Sequence, residues 1–263
     1  MEQLIPQTYS THLVVLSYVI AAVGSYIALS ATQKMRKQTG TAYTYSMLVA
    51  GIAFGGIAVW AMHFVGMLAM KIPLGLSYSV WETVLSLIAA IGAASWGLAI
   101  VAKNPKSIPR LVGAGAVLGF GVSVMHYLGM YGMRFGGFFA WDMQLVILSI
   151  LIAFVAATAG LWLTFNAHSH NSRIIASVVM AVAVCAMHYT GMLAADVICT
   201  TPNRVAIPSG TGLVSVMDLP LLVITFVVGM IIALAINLLF TPKTDKDPSV
   251  IQTDPENVPA SSA

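Results

Sequence analysis

Three short segments repeat one pattern of ligand-capable side chains: Met62-His63-Phe64-Val65-Gly66-Met67, Met125-His126-Tyr127-Leu128-Gly129-Met130 and Met187-His188-Tyr189-Thr190-Gly191-Met192. Each offers an imidazole and, four residues later, a thioether. Residues four apart share one face of a helix. His63 and Met67 therefore point the same way, as do His126 with Met130 and His188 with Met192, and the intervening glycine keeps that face open. Met62, Met125 and Met187 point about 100° away and line a neighbouring wall. Imidazole with thioether is a soft donor set: thioethers favour Cu(I), and imidazole suits copper, zinc, iron and nickel. Packing is the competing account, since methionine fills space and a histidine can bond across helices. Three copies holding four of six letters fixed turn the balance towards a metal or cofactor, although duplication alone also preserves a packing motif. Whether three histidines share one ion or build separate sites stays open.

Secondary candidates surround the motif. Met70 and Met133 lie seven residues past the first two histidines and are expected to continue the same faces, with Ala195, Asp196 and Cys199 in the third copy. Cys185 stands one turn before His188 and reads as a small buried hydrophobe or an extra ligand. Cys199 is expected to be the more exposed cysteine. His12 lies near the outer start of the first helix and is a further possible ligand; His168 and His170 read as loop residues.

The elements that position the motif repeat with it. The histidines are 63 and 62 residues apart, which is two spans and their loops. Val15-Leu16-Ser17, Val84-Leu85-Ser86 and Ile147-Leu148-Ser149 align, and the serines suit helix–helix hydrogen bonds. Seven residues before each stands Ser10, Ser79 or Asp142, fitting an N-cap, preceded by Tyr9, Tyr78 or Trp141. Gly56, Gly119 and Ala181, seven before each histidine, allow close helix approach. The unit is a helix pair used three times in parallel, with a final helix added, and the three histidines fall at one depth.

Composition supplies the solvent. The chain is 59% hydrophobic and 8% charged, against about 25% charged for a soluble domain. A spanning helix needs about 20 apolar residues, and seven runs qualify: 12–33, 46–70, 78–101, 110–131, 142–165, 173–195 and 219–240. The expected fold is therefore all-α, a polytopic membrane domain over 1–240. Residues 241–263, rich in Pro, Asp, Ser and Thr, read as a disordered cytoplasmic tail. Lys34, Arg36, Lys37, Lys103, Lys106, Arg110 and Arg173 flank one set of helix ends, and Glu82, Asp142, Asp196 and Asp218 the other. Positive residues favour the cytoplasm, which puts the N-terminus outside, the C-terminus inside and the motif near the outer face. The loop at 196–218, with Pro202, Pro208, Gly210 and Gly212, reads as irregular. The two cysteines are too few for a disulfide framework, and the first apolar run reads as a retained helix.

At Met187-His188-Tyr189-Thr190 the chain resembles the bacterial MHYT family of integral membrane sensors, over roughly residues 9–235. The first copy departs at Phe64 and Val65 and the second at Leu128; both keep Met, His, an aromatic, Gly and Met. The resemblance implies copper held by His63, Met67, His126, Met130, His188 and Met192 in a bacterial inner membrane. It also implies a possible diatomic gas ligand (oxygen, CO or NO). Many such proteins carry cytoplasmic cyclase, phosphodiesterase or kinase domains. No such segment is present here, so output would pass to a separate cytoplasmic partner or to a larger chain of which this is a module. Catalysis is not the leading expectation, and no nucleic acid partner is expected. The rivals are a zinc-dependent intramembrane hydrolase using three histidines, with Ser17, Ser86, Ser149 or Asp196 assisting, and a copper storage or transport protein. A His-Met haem protein is chemically open as well.

Overall fold

Backbone polar groups must be satisfied within the chain wherever lipid surrounds it, and the apolar runs accordingly fold as helices. The computed structural model describes residues 2–240; the tail expected over 241–263 lies outside them. The helices are α1 (Thr11–Met35), α2 (Gly40–Ala69), α3 (Val80–Ala102), α4 (Ile108–Tyr131), α5 (Met143–Asn166), α6 (His170–Leu193) and α7 (Leu219–Phe240). The first six are each long and apolar enough to cross a membrane. Large apolar side chains such as Phe120, Val155, Trp162 and Ile175 face outward, as lipid contact requires. The chain is a multi-pass membrane protein.

Helices α1 to α6 close into a ring, α6 returning to α1, and α2, α4 and α6 also meet one another inside it. Helix α7 stands outside the ring against α2. Helix α2 begins at Gly40, about six residues before the start expected from hydropathy, and its φ of 60° is backbone geometry that glycine tolerates best. Over Ile52–Ala61 it is π-helical, and it returns to α-helix over Met62–Ala69.

The loops at the histidine end of the bundle contain strands that the periodicity does not anticipate. They are β1 (Gln3–Ile5), β2 (Thr8–Tyr9), β3 (Met70–Lys71), β4 (Ser77–Ser79), β5 (Met133–Arg134), β6 (Gly137–Trp141), β7 (Ala195–Cys199) and β8 (Leu213–Ser215). Each strand entering an odd-numbered ring helix pairs antiparallel with the strand leaving the following even one: β2 with β3, β4 with β5, β6 with β7. The register is the same each time, placing Tyr9 opposite Met70, Tyr78 opposite Met133 and Trp141 opposite Ala195. One more backbone bond closes each unit: Ser10 N to Ala69 O at 2.8 Å, Ser79 N to Gly132 O at 2.9 Å and Asp142 N to Ala194 O at 2.9 Å. Met70 and Met133 therefore do not continue a helical face; they sit in ribbons that tie each helix pair shut. The segment at 196–218 is only partly irregular, since β7 occupies its start and β8 joins β4 near its end. Of the three expected caps, Asp142 accepts from Gln144 N at 2.9 Å and Leu145 N at 3.3 Å. Ser10 makes no side-chain cap bond, and the Ser79 hydroxyl donates to Glu82 instead.

Further hydrogen bonds bind adjacent helices at three places round the ring. Tyr127 Oη lies 2.5 Å from Ser149 Oγ, joining α4 to α5. Tyr189 Oη lies 2.9 Å from Ser17 Oγ, joining α6 to α1. In the first unit Phe64 has no hydroxyl, and Trp60 Nε1 donates to Ser86 Oγ at 3.1 Å and Thr83 O at 3.2 Å, joining α2 to α3.

Candidate metal centre

The ring brings one histidine from each even-numbered helix onto its axis. His63, His126 and His188 are at most 1% exposed. Their Nδ1 atoms form a triangle with sides of 3.0 Å (His63–His188), 3.2 Å (His63–His126) and 3.3 Å (His126–His188). The rings stand nearly perpendicular to one another, at 75° to 87°, so three edges converge on one point.

Hydrogen bonding alone cannot satisfy this arrangement. A neutral imidazole nitrogen is either a donor or an acceptor. Among three mutually adjacent Nδ1 atoms at least two are alike, so at least one side of the triangle is not a hydrogen bond. The three Nε2 atoms are buried without a hydrogen-bond partner, and an unsatisfied buried polar atom costs about 1–3 kcal/mol. A cation resolves the conflict at the triangle: three unprotonated Nδ1 atoms direct their lone pairs to one point. That point lies about 1.8 Å from each nitrogen, close to the roughly 2.0–2.1 Å of a zinc–imidazole bond. The residues fit a metal ion.

Three glycines make the approach possible, in cyclic order. A methyl group on Gly129 would collide with the His63 ring, on Gly191 with His126 and on Gly66 with His188. Each helix thus supplies a histidine to the centre and, one turn outward, an opening for its neighbour's ring. The sequence signal for this was the invariant His-x-x-Gly spacing, although the glycine's partner, a histidine from another unit, was not legible. Met67, Met130 and Met192 stand one turn beyond the histidines and are fully buried.

Among the described His, Cys, Asp and Glu residues, the three histidines are the only group placed to hold a metal. His12 is exposed at the start of α1, Asp196 is exposed in β7, and Cys185 lies outside the group. Cys199, expected to be exposed, is buried beside Ile5 and Val197 in the cap. His168 lies against Arg36 in the α5–α6 connection, and His170 starts α6 against Tyr26. Ser17, Ser86 and Ser149 serve the interhelical bonds described above. In the ribbons, burial and the neighbouring Tyr189 push the Tyr9 phenol up to about 12, and burial raises Tyr78 as well. Overpacking costs about 1–3 kcal/mol: Gly129→Ala is expected to lower the unfolding temperature in detergent by several degrees. Gly113→Ala, whose added methyl meets open space, leaves it unchanged, and equal effects of the two variants would contradict the cradle.

The family model described as the bacterial signalling protein N-terminal repeat, MHYT, matches three times, over residues 56–114, 119–177 and 182–249. Each match opens shortly before one of the three histidines and runs through the next odd-numbered helix, the first two ending in the first turns of the even helix beyond it, a cut half a unit away from the ribbon-closed pairs. The chain is 36% identical over 194 residues to the bifunctional diguanylate cyclase/cyclic di-GMP phosphodiesterase MucR of Pseudomonas aeruginosa, covering 72% of this chain and 28% of that protein. It is 34% identical to the signalling protein YkoW of Bacillus subtilis, over 72% and 24% of the two chains. The cyclic di-GMP phosphodiesterase NbdA of Pseudomonas aeruginosa is 33% identical, over 78% and 26%. The matched region thus spans about a quarter of these relatives' length. No solved structure matches the chain. With three tandem matches, each containing one histidine of the buried triad, the chain belongs to the MHYT family of bacterial membrane signalling proteins.

Proposed function

We propose that this chain is a sensor module in which His63, His126 and His188 hold a copper ion, with Met67, Met130 and Met192 as the thioether side of the donor set. The observation that carries the reading is the buried triangle of Nδ1 atoms, unsatisfiable by hydrogen bonds yet sized for one cation. Copper is favoured over zinc by the buried methionine that succeeds each histidine, since thioethers select Cu(I). Held there, copper supplies a soft centre able to take a diatomic ligand such as oxygen, CO or NO. The chain's own part is to exclude water, converge the three rings and fix their spacing. The hydrolase alternative finds little support: the triad is shut from solvent, and among the described residues no carboxylate joins it to act as a base. Output, in this reading, goes to a cytoplasmic signalling protein or domain, in keeping with the relatives' names.

The membrane placement belongs to the same proposal. Residues 1–240 form one domain of three parallel helix pairs, and α7 completes a seventh span. The ribbon cap and N-terminus face outward from the inner membrane, and the cationic ends of α1, α3 and α5 face the cytoplasm.

Two measurements test the proposal. Elemental analysis of the protein purified in detergent is expected to give about one copper per chain. The triple variant His63→Ala, His126→Ala, His188→Ala should lose at least about nine-tenths of it while still eluting as a single folded species. Stoichiometric zinc, or no metal after copper reconstitution, would reject copper. For orientation, Val205→Cys and Asn104→Cys are compared in a Cys185→Ser, Cys199→Ser background. A membrane-impermeant maleimide on intact cells should label Val205→Cys, 78% exposed at the cap end, and spare Asn104→Cys; the opposite pattern would invert the topology.

A further inference from the structure

The three-fold pattern is broken in one place, and three departures coincide there. The first is the register of α2. Gly115 and Gly119 of α4 pack against Thr158 and Phe154 of α5, whereas in the first unit Gly51 and Gly55 of α2 pack against Ser95 and Ile91 of α3. Ser95 and Ile91 are the residues equivalent to Thr158 and Phe154, 63 positions earlier, so these glycines hold equivalent places. From Gly51 to Gly66 is 15 residues, and from Gly115 to Gly129 is 14. Helix α2 thus carries one residue more between its two fixed contacts than α4 does. The π-helical stretch Ile52–Ala61 takes up that residue, while α4 and α6 are α-helical throughout. One residue rotates the remainder of a helix by about 100°, so His63 points at the axis only while the stretch stays wide.

The second departure is the outer side of the stretch. Gly56, which the repeat would turn fully towards α3, keeps only the tip of Ile91 there and otherwise faces Met230 and Phe226 of α7. The third is Trp60, which stands where the other units have Ser123 and Cys185. Its ring meets Phe226 edge-on at 5.0 Å and Phe64 at 4.8 Å, and Phe64 in turn meets His63 at 5.0 Å. Phe226, Trp60, Phe64 and His63 form one contiguous packed chain from α7 to the triad. Short π-helical bulges in α-helices are often found at functional sites.

We propose that the stretch Ile52–Ala61 is a register switch coupling His63 to α7: in the π register His63 completes the triad and α7 docks on Trp60 and Gly56, and in the α register both contacts are lost together. The proposal rests on the copper reading only for the signal that throws the switch; the coupling of His63 to α7 stands apart from it. Coupling of two sites is reciprocal, so loosening α7 must weaken metal binding, and loss of His63 must move α7. Deleting one residue of the stretch removes the excess, lets α2 run as an α-helix with the triad intact, and disconnects the two.

The test is a cycle in the full chain. By competition with a Cu(I) chelator, Phe226→Ala is expected to weaken Cu(I) binding at least about fivefold, the lower end of usual coupling. In a chain lacking Ala53 the same substitution should change it less than about twofold. In parallel, spin labels at Val23→Cys on α1 and Ile232→Cys on α7, in the cysteine-free background without metal, report the distance between the helices. His63→Ala should shift that distance in the intact chain and leave it unchanged when Ala53 is absent. Trp60→Ala provides a second break, with the same loss of coupling, should the deletion fail to fold. A label shift without copper binding upholds the switch and overturns the copper reading. Equal effects in intact and uncoupled chains, or no label shift with His63→Ala, overturn the switch.

Discussion

Three imidazole nitrogens meeting at 3.0–3.3 Å on the axis of a membrane bundle set the terms for everything around them. Polar groups are expensive at membrane depth, and three that cannot satisfy one another persist only where the surroundings over-determine them. The helices must come close enough to seat each ring against a neighbour's backbone, which is why Gly66, Gly129 and Gly191 accompany the histidines. They must also be held at one depth, which the three ribbons achieve by fixing Tyr9 to Met70, Tyr78 to Met133 and Trp141 to Ala195. The hydroxyl and indole bonds to Ser17, Ser86 and Ser149 then fix neighbouring helices round the ring. Each of these features is a repeated consequence of one demand at the centre.

Much of this was legible in the sequence, because duplication writes the same physical requirement three times. The all-helical membrane class emerges from composition, and the interhelical role of Ser17, Ser86 and Ser149 from their spacing. The sequence did not disclose the ribbons. Met70 and Met133 kept a helical spacing from their histidines, and nothing local marks the chain as extended there; the decisive partner of Met70, Tyr9, lies 61 residues away. Cys199 was misplaced for the same reason, since its burial depends on Ile5 from β1. The spacing of Gly56 from His63 also matched that of Gly119 from His126. The helix nevertheless defies the match, because its extra residue is absorbed by a change of helix type that hydropathy does not register.

The first unit is therefore both a copy and an exception. Phe64 replaces a tyrosine, Trp60 supplies the bond to Ser86 that the missing hydroxyl leaves open, and the wider helix turns a glycine and an indole outward to α7. A perfectly symmetric ring would offer a seventh helix three equivalent places to dock. Asymmetry concentrated in α2 specifies one, and that one lies directly behind one of the three histidines. The proposed switch would give the symmetric triad a single asymmetric exit.

The central claim is that the three histidines act as one donor set. X-ray absorption at the copper edge of the reconstituted, membrane-embedded protein tests it most directly. A shared site predicts three imidazole scatterers on a single class of copper, and loss of that signature when His126 is replaced by alanine. A spectrum with fewer than two imidazoles per copper, or one unchanged by His126→Ala, would contradict it.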